Sequence, residues 1–260
     1  YKRQDTTVTQ LHKVEMENPT AGDIFGIGVD IDNNYAIVGA PQYVLDGRHG
    51  NAYIYNVTTG NLVHELSPSG SQSFTGQWNG DRFGIGVLIS GNYAIVGANR
   101  DDDKGSNSGA AYIFNVTTGE QLHKITLLGD ATNANFGASV DINGYYVIIA
   151  APRKAELNSA GANRPYAGSA YIYSFDDTTF TQLHKLVAPN PWIGDFFGVG
   201  VAINSNYAIV GTPRDDDAGP NSGTFYIYGW NDTTVTQLHE VFPVGAFGYC
   251  LLYTSPSPRD

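Results

Sequence analysis

The chain carries one cysteine in 260 residues, Cys250, which excludes an intrachain disulfide and every metal site built from several cysteines. Positive charge is scarce. Fourteen Lys+Arg stand against 25 Asp+Glu, and the formal charge of -11 repels phosphate backbones and anionic lipid, so no nucleic acid partner is expected. No apolar run approaches the roughly 20 residues of a membrane span, so this segment is not expected to insert into a membrane. Sustained helical periodicity is missing throughout, which leaves a nearly all-β chain. The chain also lacks a Gly-x-Ser-x-Gly elbow and a His-Glu-x-x-His pair, and "GIGVDI" lacks the third glycine and the helix of a dinucleotide turn. No catalytic residue is assigned.

What the chain does have is repetition. "FGIGVDIDNNYAIVGAP" at residue 25 returns as "FGIGVLISGNYAIVGAN" at 83, "FGASVDINGYYVIIAAP" at 136 and "FGVGVAINSNYAIVGTP" at 197. Each copy is followed by an aromatic strand ("AYIYNV", "AYIFNV", "AYIYSF", "FYIYGW") and then by a polar one ("NLVHEL", "EQLHKI", "TQLHKL", "TQLHEV"). A module of about 55 residues suits one four-stranded propeller blade. The glycine-paired strand A is expected beside the axis, where backbones crowd. Strand B follows a tight turn, strand C is apolar on both faces between neighbouring blades, and strand D alternates like an outer edge.

The Phe-Gly start and Gly-Ala-Pro end of the A–B hairpin resemble the FG-GAP repeat of integrin α-subunit β-propellers. The fuller pattern "QLHK", "GDxFG", "YAIVGAP", "DDD-x-G" and "NSG-x-x-YI" is closer to FG-GAP repeat proteins of microbial cell surfaces. The resemblance implies an all-β propeller in residues 1–248: four complete blades starting near 25, 83, 136 and 197 (about 25–242), with partial blades at 1–16 and from 247. Seven blades for the intact ring, or six to seven, would leave neighbouring blades missing from this chain. The run "CLLYTSPSPRD" breaks the pattern after Tyr249, so 249–260 reads as a non-native or disordered tail resembling translated adapter or vector sequence. Integrin-like repeats hold calcium between strands A and B. Here that place is a tight turn, and those ligands are not carried over to Asp30, Asp32 or Asp141.

Carboxylates gather instead in the B–C loops "NRDDDKGSNSG" (99–109) and "PRDDDAGPNSG" (213–223). Asp101, Asp103 and Asn107, with Asp215, Asp217 and Asn221, are candidate weak Ca²⁺ ligands. The alternative is turn closure by Asp and Asn, with Arg100 and Arg214 offsetting the charge. No cofactor is required. In a propeller the B–C loops and D–A linkers share one face, so Trp78, Asp81 and Trp192 join Asp101, Asp102, Asp103, Asp215, Asp216 and Asp217 as candidate ligand-binding residues for a glycan or an extracellular protein. Trp192 could equally plug a seam between blades. His12, His64, His123, His184 and His239 share one strand-D position, so they spread around the rim, cannot share an ion, and read as edge-strand residues. His49 stands alone in a loop. The sequons at Asn56, Asn115 and Asn231 fall at C–D turns on the other face, either as glycosylation sites or as turn chemistry. The function this suggests is an extracellular or cell-surface binding or adhesion module. The alternatives are a coat or stalk component and a propeller-type glycan hydrolase or lyase.

Overall fold

The computed structural model describes residues 2–4, 7–43, 49–69 and 80–243. Trp78, Cys250, the expected Phe247 start and the 249–260 tail lie outside the described residues. Strands β1 (Lys2–Gln4) and β2 (Thr7–Thr9) form a small hairpin ahead of the repeats. The first blade comprises β3 (Val29–Asp32), β4 (Tyr35–Ala40), β5 (Asn51–Asn56) and β6 (Leu62–Leu66). The second comprises β7 (Phe83–Ser90), β8 (Tyr93–Ala98), β9 (Ala110–Asn115) and β10 (Gln121–Thr126). In the third, β11 (Val140–Asn143) and β12 (Tyr146–Ala151) precede a short hairpin, β13 (Glu156–Leu157) and β14 (Asn163–Arg164), and then β15 (Ser169–Phe175) and β16 (Phe180–Leu186). The fourth runs β17 (Gly200–Ile203), β18 (Tyr207–Thr212), β19 (Thr224–Trp230) and β20 (Val235–Val241). Each blade is one antiparallel sheet in the order A-B-C-D, and no helix occurs among the described residues.

Consecutive A strands touch, β3 with β7, β7 with β11 and β11 with β17, so they line a common inner edge. Apolar side chains fill the seams: Val87 and Ile89 of the second blade pack in one cluster with Ile37, Ile54 and Leu66 of the first. Glycine is required where backbones meet. A Cβ on Gly97 would land on the carbonyl of Gly137 in the next blade, and one on Gly39 on that of Gly84. The glycine of each Phe-Gly start has positive φ, from 81° at Gly137 to 99° at Gly198, a conformation that side-chain-bearing residues rarely adopt. That local turn shortens strand A, which begins three or four residues after the phenylalanine in every blade but the second.

One expectation is corrected here. Residues 10–16, expected in a strand D, form no strand, and Thr7–Thr9 is extended and paired to β1. Val14 and Met16 nevertheless pack on Phe25, Tyr53 and Tyr55 of the first blade. His64, His123, His184 and His239 lie on the outer edge strand of each blade, and the first three of them, with His12, also fasten seams. A β-bulge at the residue before His64, His123, His184 and His239 (Val63, Leu122, Leu183, Leu238) re-aims the ring, and His12 reaches the same position without one. Nε2 of His12, His64, His123 and His184 then meets the carbonyl of Thr58, Thr117, Asp176 and Asn231 in the next blade's C–D turn, at 3.0, 2.9, 2.6 and 2.5 Å.

Candidate ligand-binding face

In every blade the residue between Asp and Phe of the "GDxFG" pattern, or its counterpart, sits at positive φ: Ile24, Arg82, Asn135 and Phe196. This kink turns the phenylalanine into the seam, and in the last three blades it brings the Phe amide to the preceding B–C loop. Phe83, Phe136 and Phe197 donate to the carbonyls of His49, Ser108 and Ala167 at 2.8, 3.0 and 2.8 Å. Loops B–C and linkers D–A therefore share one face, as the sequence reading requires.

The second-blade aspartates are tied internally. Asp101 is 1 % exposed; its Oδ2 accepts from the Tyr112 hydroxyl (2.7 Å) and from Lys124 Nζ (2.9 Å), and its Oδ1 from the Asp103 amide (3.0 Å). Lys124 also bonds Asp103, and Asp102 Oδ1 accepts from the Asn107 amide at 2.6 Å. Burial and the adjoining carboxylates push the Tyr112 hydroxyl far above its ordinary range. Next to this loop, Asp81 Oδ2 lies 2.5 Å from His49 Nδ1, so His49 is not an isolated loop residue. The bond to Asp81 raises the His49 pKa against its desolvation, while burial raises that of Asp81 despite the imidazole.

The fourth-blade loop repeats these bonds. Asp215 Oδ2 accepts from the Tyr226 hydroxyl (2.9 Å), Asp215 Oδ1 from the Asp217 amide (3.0 Å) and Asp216 Oδ1 from the Asn221 amide (2.5 Å). Asn107 and Asn221 both occupy positive-φ turn positions. Among the described residues, no group of three or more His, Cys, Asp or Glu side chains is arranged to hold a metal ion.

Trp192 does not plug a seam. It is 53 % exposed, with the Arg164 guanidinium 4.4 Å over its ring, and its amide donates to buried Asp195 at 2.7 Å. Beside it Tyr166 stacks on Phe196 (6.0 Å, 19°), and Arg214 lies 5.0 Å over Phe196. The long B–C loop of the third blade, stiffened by β13 and β14, supplies Arg164 and Tyr166. Neither was singled out from sequence, because Arg and Tyr in a loop carry no spacing that distinguishes them. A separate cleft of about 750 Å³ lies between residues 13–18 and the first blade, but its inner carboxylates are engaged: Asp23 by Thr20, and Glu65 by Asn51 and Tyr53.

At the opposite turns, Oδ1 of Asn56, Asn115 and Asn231 accepts from the amides two and three residues on, closing each turn that receives a histidine. Asp30 and Asp141 accept from the Ile89 and Ile203 amides of the next blade (2.9 and 2.7 Å) and Asp32 from Gly91 (2.6 Å), so strand A fastens blades together.

A family model described as FG-GAP repeat matches residues 8–55, 76–114, 120–173 and 180–228. No curated protein matches the chain.

Proposed function

Because this chain belongs to the FG-GAP repeat family, whose β-propeller modules are typical of extracellular and surface proteins, we propose that it is a surface binding or adhesion module recognising a glycan or protein ligand through its B–C and D–A loop face. The observation that carries this reading is the platform of exposed Trp192, Tyr166 and Arg214 with half-buried Arg164 and Phe196. Aromatic rings and guanidinium groups are the side chains that most often anchor recognition, because they bury large areas at low entropic cost. No helix among the described residues is long and apolar enough to cross a membrane. Repeated residues fasten blades, whereas Trp192, Arg164 and Tyr166 have no counterpart in the other blades. The reading involves no catalytic step and no required cofactor. Glycans on Asn56, Asn115 or Asn231 would project from the opposite turns and leave this face open.

Glycan and protein arrays probed with the chain identify ligands, and Trp192→Ala weakens the strongest hit by roughly thirtyfold, the loss of one interface anchor. A variant that binds like the parent removes the platform as the site.

A further inference from the structure

The residue after the strand-D histidine is Glu65, Lys124, Lys185 and Glu240 in the four blades, and its charge follows what the B–C side of the blade presents. Glu65 meets the Asn51 amide nitrogen (2.7 Å) and the Tyr53 hydroxyl (3.2 Å). Lys124 meets Asp101 and Asp103, and Lys185 meets Glu156 (2.6 Å). In the fourth blade the match fails. Asp215 and Asp217 stand where Asp101 and Asp103 stand, with the same loop bonds, but strand D supplies Glu240 in place of lysine. The Tyr226 hydroxyl lies 2.9 Å from Asp215 Oδ2 and 3.3 Å from Glu240 Oε1, and its single proton serves only one of them.

A second cation is missing from the same surroundings. Asp195 holds the position that Asp81 holds two repeats earlier, yet the residue matching His49 is Ala167. Asp195 is 2 % exposed, and its buried Oδ1 has no hydrogen-bond partner. Its backbone carbonyl accepts from Arg214 at the head of the acidic loop, and the charges of Asp215, Asp216 and Asp217 bear on its carboxyl. Arg214 itself stacks on Phe196, and its counterpart Arg100 precedes the second-blade loop, so it is common to both loops. Where the second blade has Lys124, with His49 of the preceding B–C loop beside it, the fourth has the carboxylate of Glu240 and the preceding loop's Ala167.

We propose that Asp215, Asp217 and Glu240, backed by Asp195, form a receptor for the primary ammonium of a lysine side chain on a protein partner, seated as Lys124 is seated in the second blade. The second blade displays the bound state within the same chain: an ammonium between two carboxylates, 5.3 Å from the centroid of the Tyr112 ring, for which Tyr226 is the counterpart. A divalent cation suits the place less well, since Ca²⁺ takes six to eight oxygens and no metal-holding group of side chains is assembled there. The exposure of Asp217 and the partial exposure of Glu240 leave the receptor open to solvent.

The inference rests on the loop face being the recognition surface, but its test reads the receptor without the Trp192 platform. Nα-acetyl-lysine amide titrated into the intact chain at low salt binds saturably at one site, and the norleucine analogue, which lacks the ammonium, does not bind. Glu240→Lys fills the receptor from within as Lys124 does, keeps the fold, and abolishes lysine binding; Glu240→Gln weakens it roughly tenfold. Lysine affinity unchanged by Glu240→Lys, no saturable binding by the parent, or Ca²⁺ uptake at this place without lysine binding would each overturn the proposal.

Discussion

A carboxylate deprived of water, with one of its two oxygens unpartnered, favours its protonated form. Burial first, and then the charges of the 215–217 loop, raise the Asp195 pKa from its ordinary 3.8 to about 6, the bond from the Trp192 amide opposing the shift. Between those two values the folded chain holds a proton that the unfolded chain has released. Stability therefore falls as pH rises from about 4 to 6, and the deficit persists above that range. Asp195→Asn keeps the acceptor for the Trp192 amide and removes the charge. It is expected to stabilise by on the order of 1–3 kcal/mol at pH 7.5 and to change little at pH 4. Urea unfolding at the two pH values checks this, and an equal gain at both would show that the carboxyl does not titrate in the fold. The triple aspartates were visible in the sequence as a charge problem. How each is resolved was not, because Lys124 lies 21 residues from Asp103 and His49 lies 32 from Asp81.

At the scale of the strand, the small residue near the end of each B strand is set by the blade that follows it. Gly97 meets the Gly137 carbonyl across the seam, whereas among the described residues the nearest atom to a Cβ on Gly211, in the fourth blade, is the Gly200 carbonyl oxygen at 3.6 Å. Gly97→Ala should cost about 1–3 kcal/mol, the usual penalty for overpacking, and Gly211→Ala under about 0.5 kcal/mol. Chemical denaturation of the pair measures this difference, and equal costs would mean that the glycines serve strand B itself and not the seam. The order of strands within a blade was legible, since apolar pattern, turn residues and length all agree. The histidine fastening was legible only as a repeated letter. Its meaning depends on a bulge and on a carbonyl some 50 residues away.

At the largest scale, the first and fourth blades among the described residues carry faces that no described blade covers. Val29 and Ile31 are 67 % and 61 % exposed, although their counterparts Val87, Ile89, Val140 and Ile142 are buried against a preceding blade. At the other end Ile209 is 41 % exposed, while Ile37, Ile95 and Ile148 at the same position are fully buried. Each end presents one half of a seam that forms three times within the chain, and burying such side chains is favourable by about 1.5–3 kcal/mol each. The isolated chain should therefore self-associate as its concentration rises, and Ile31→Asp combined with Ile209→Asp should suppress this in sedimentation velocity. A parent that stays monomeric at high micromolar concentration would show that the exposed ends are inert.

The amino-acid sequence by itself determined the module, its four copies, the strand order and the face on which loops B–C and D–A gather, because these follow from local periodicity and from repetition along one chain. Tertiary structure alone decided which charges are neutralised, which histidines fasten which turns, and that Trp192 faces solvent. Those outcomes depend on contacts between residues from different strands, loops or blades, and no pattern within a single repeat encodes what its neighbour presents.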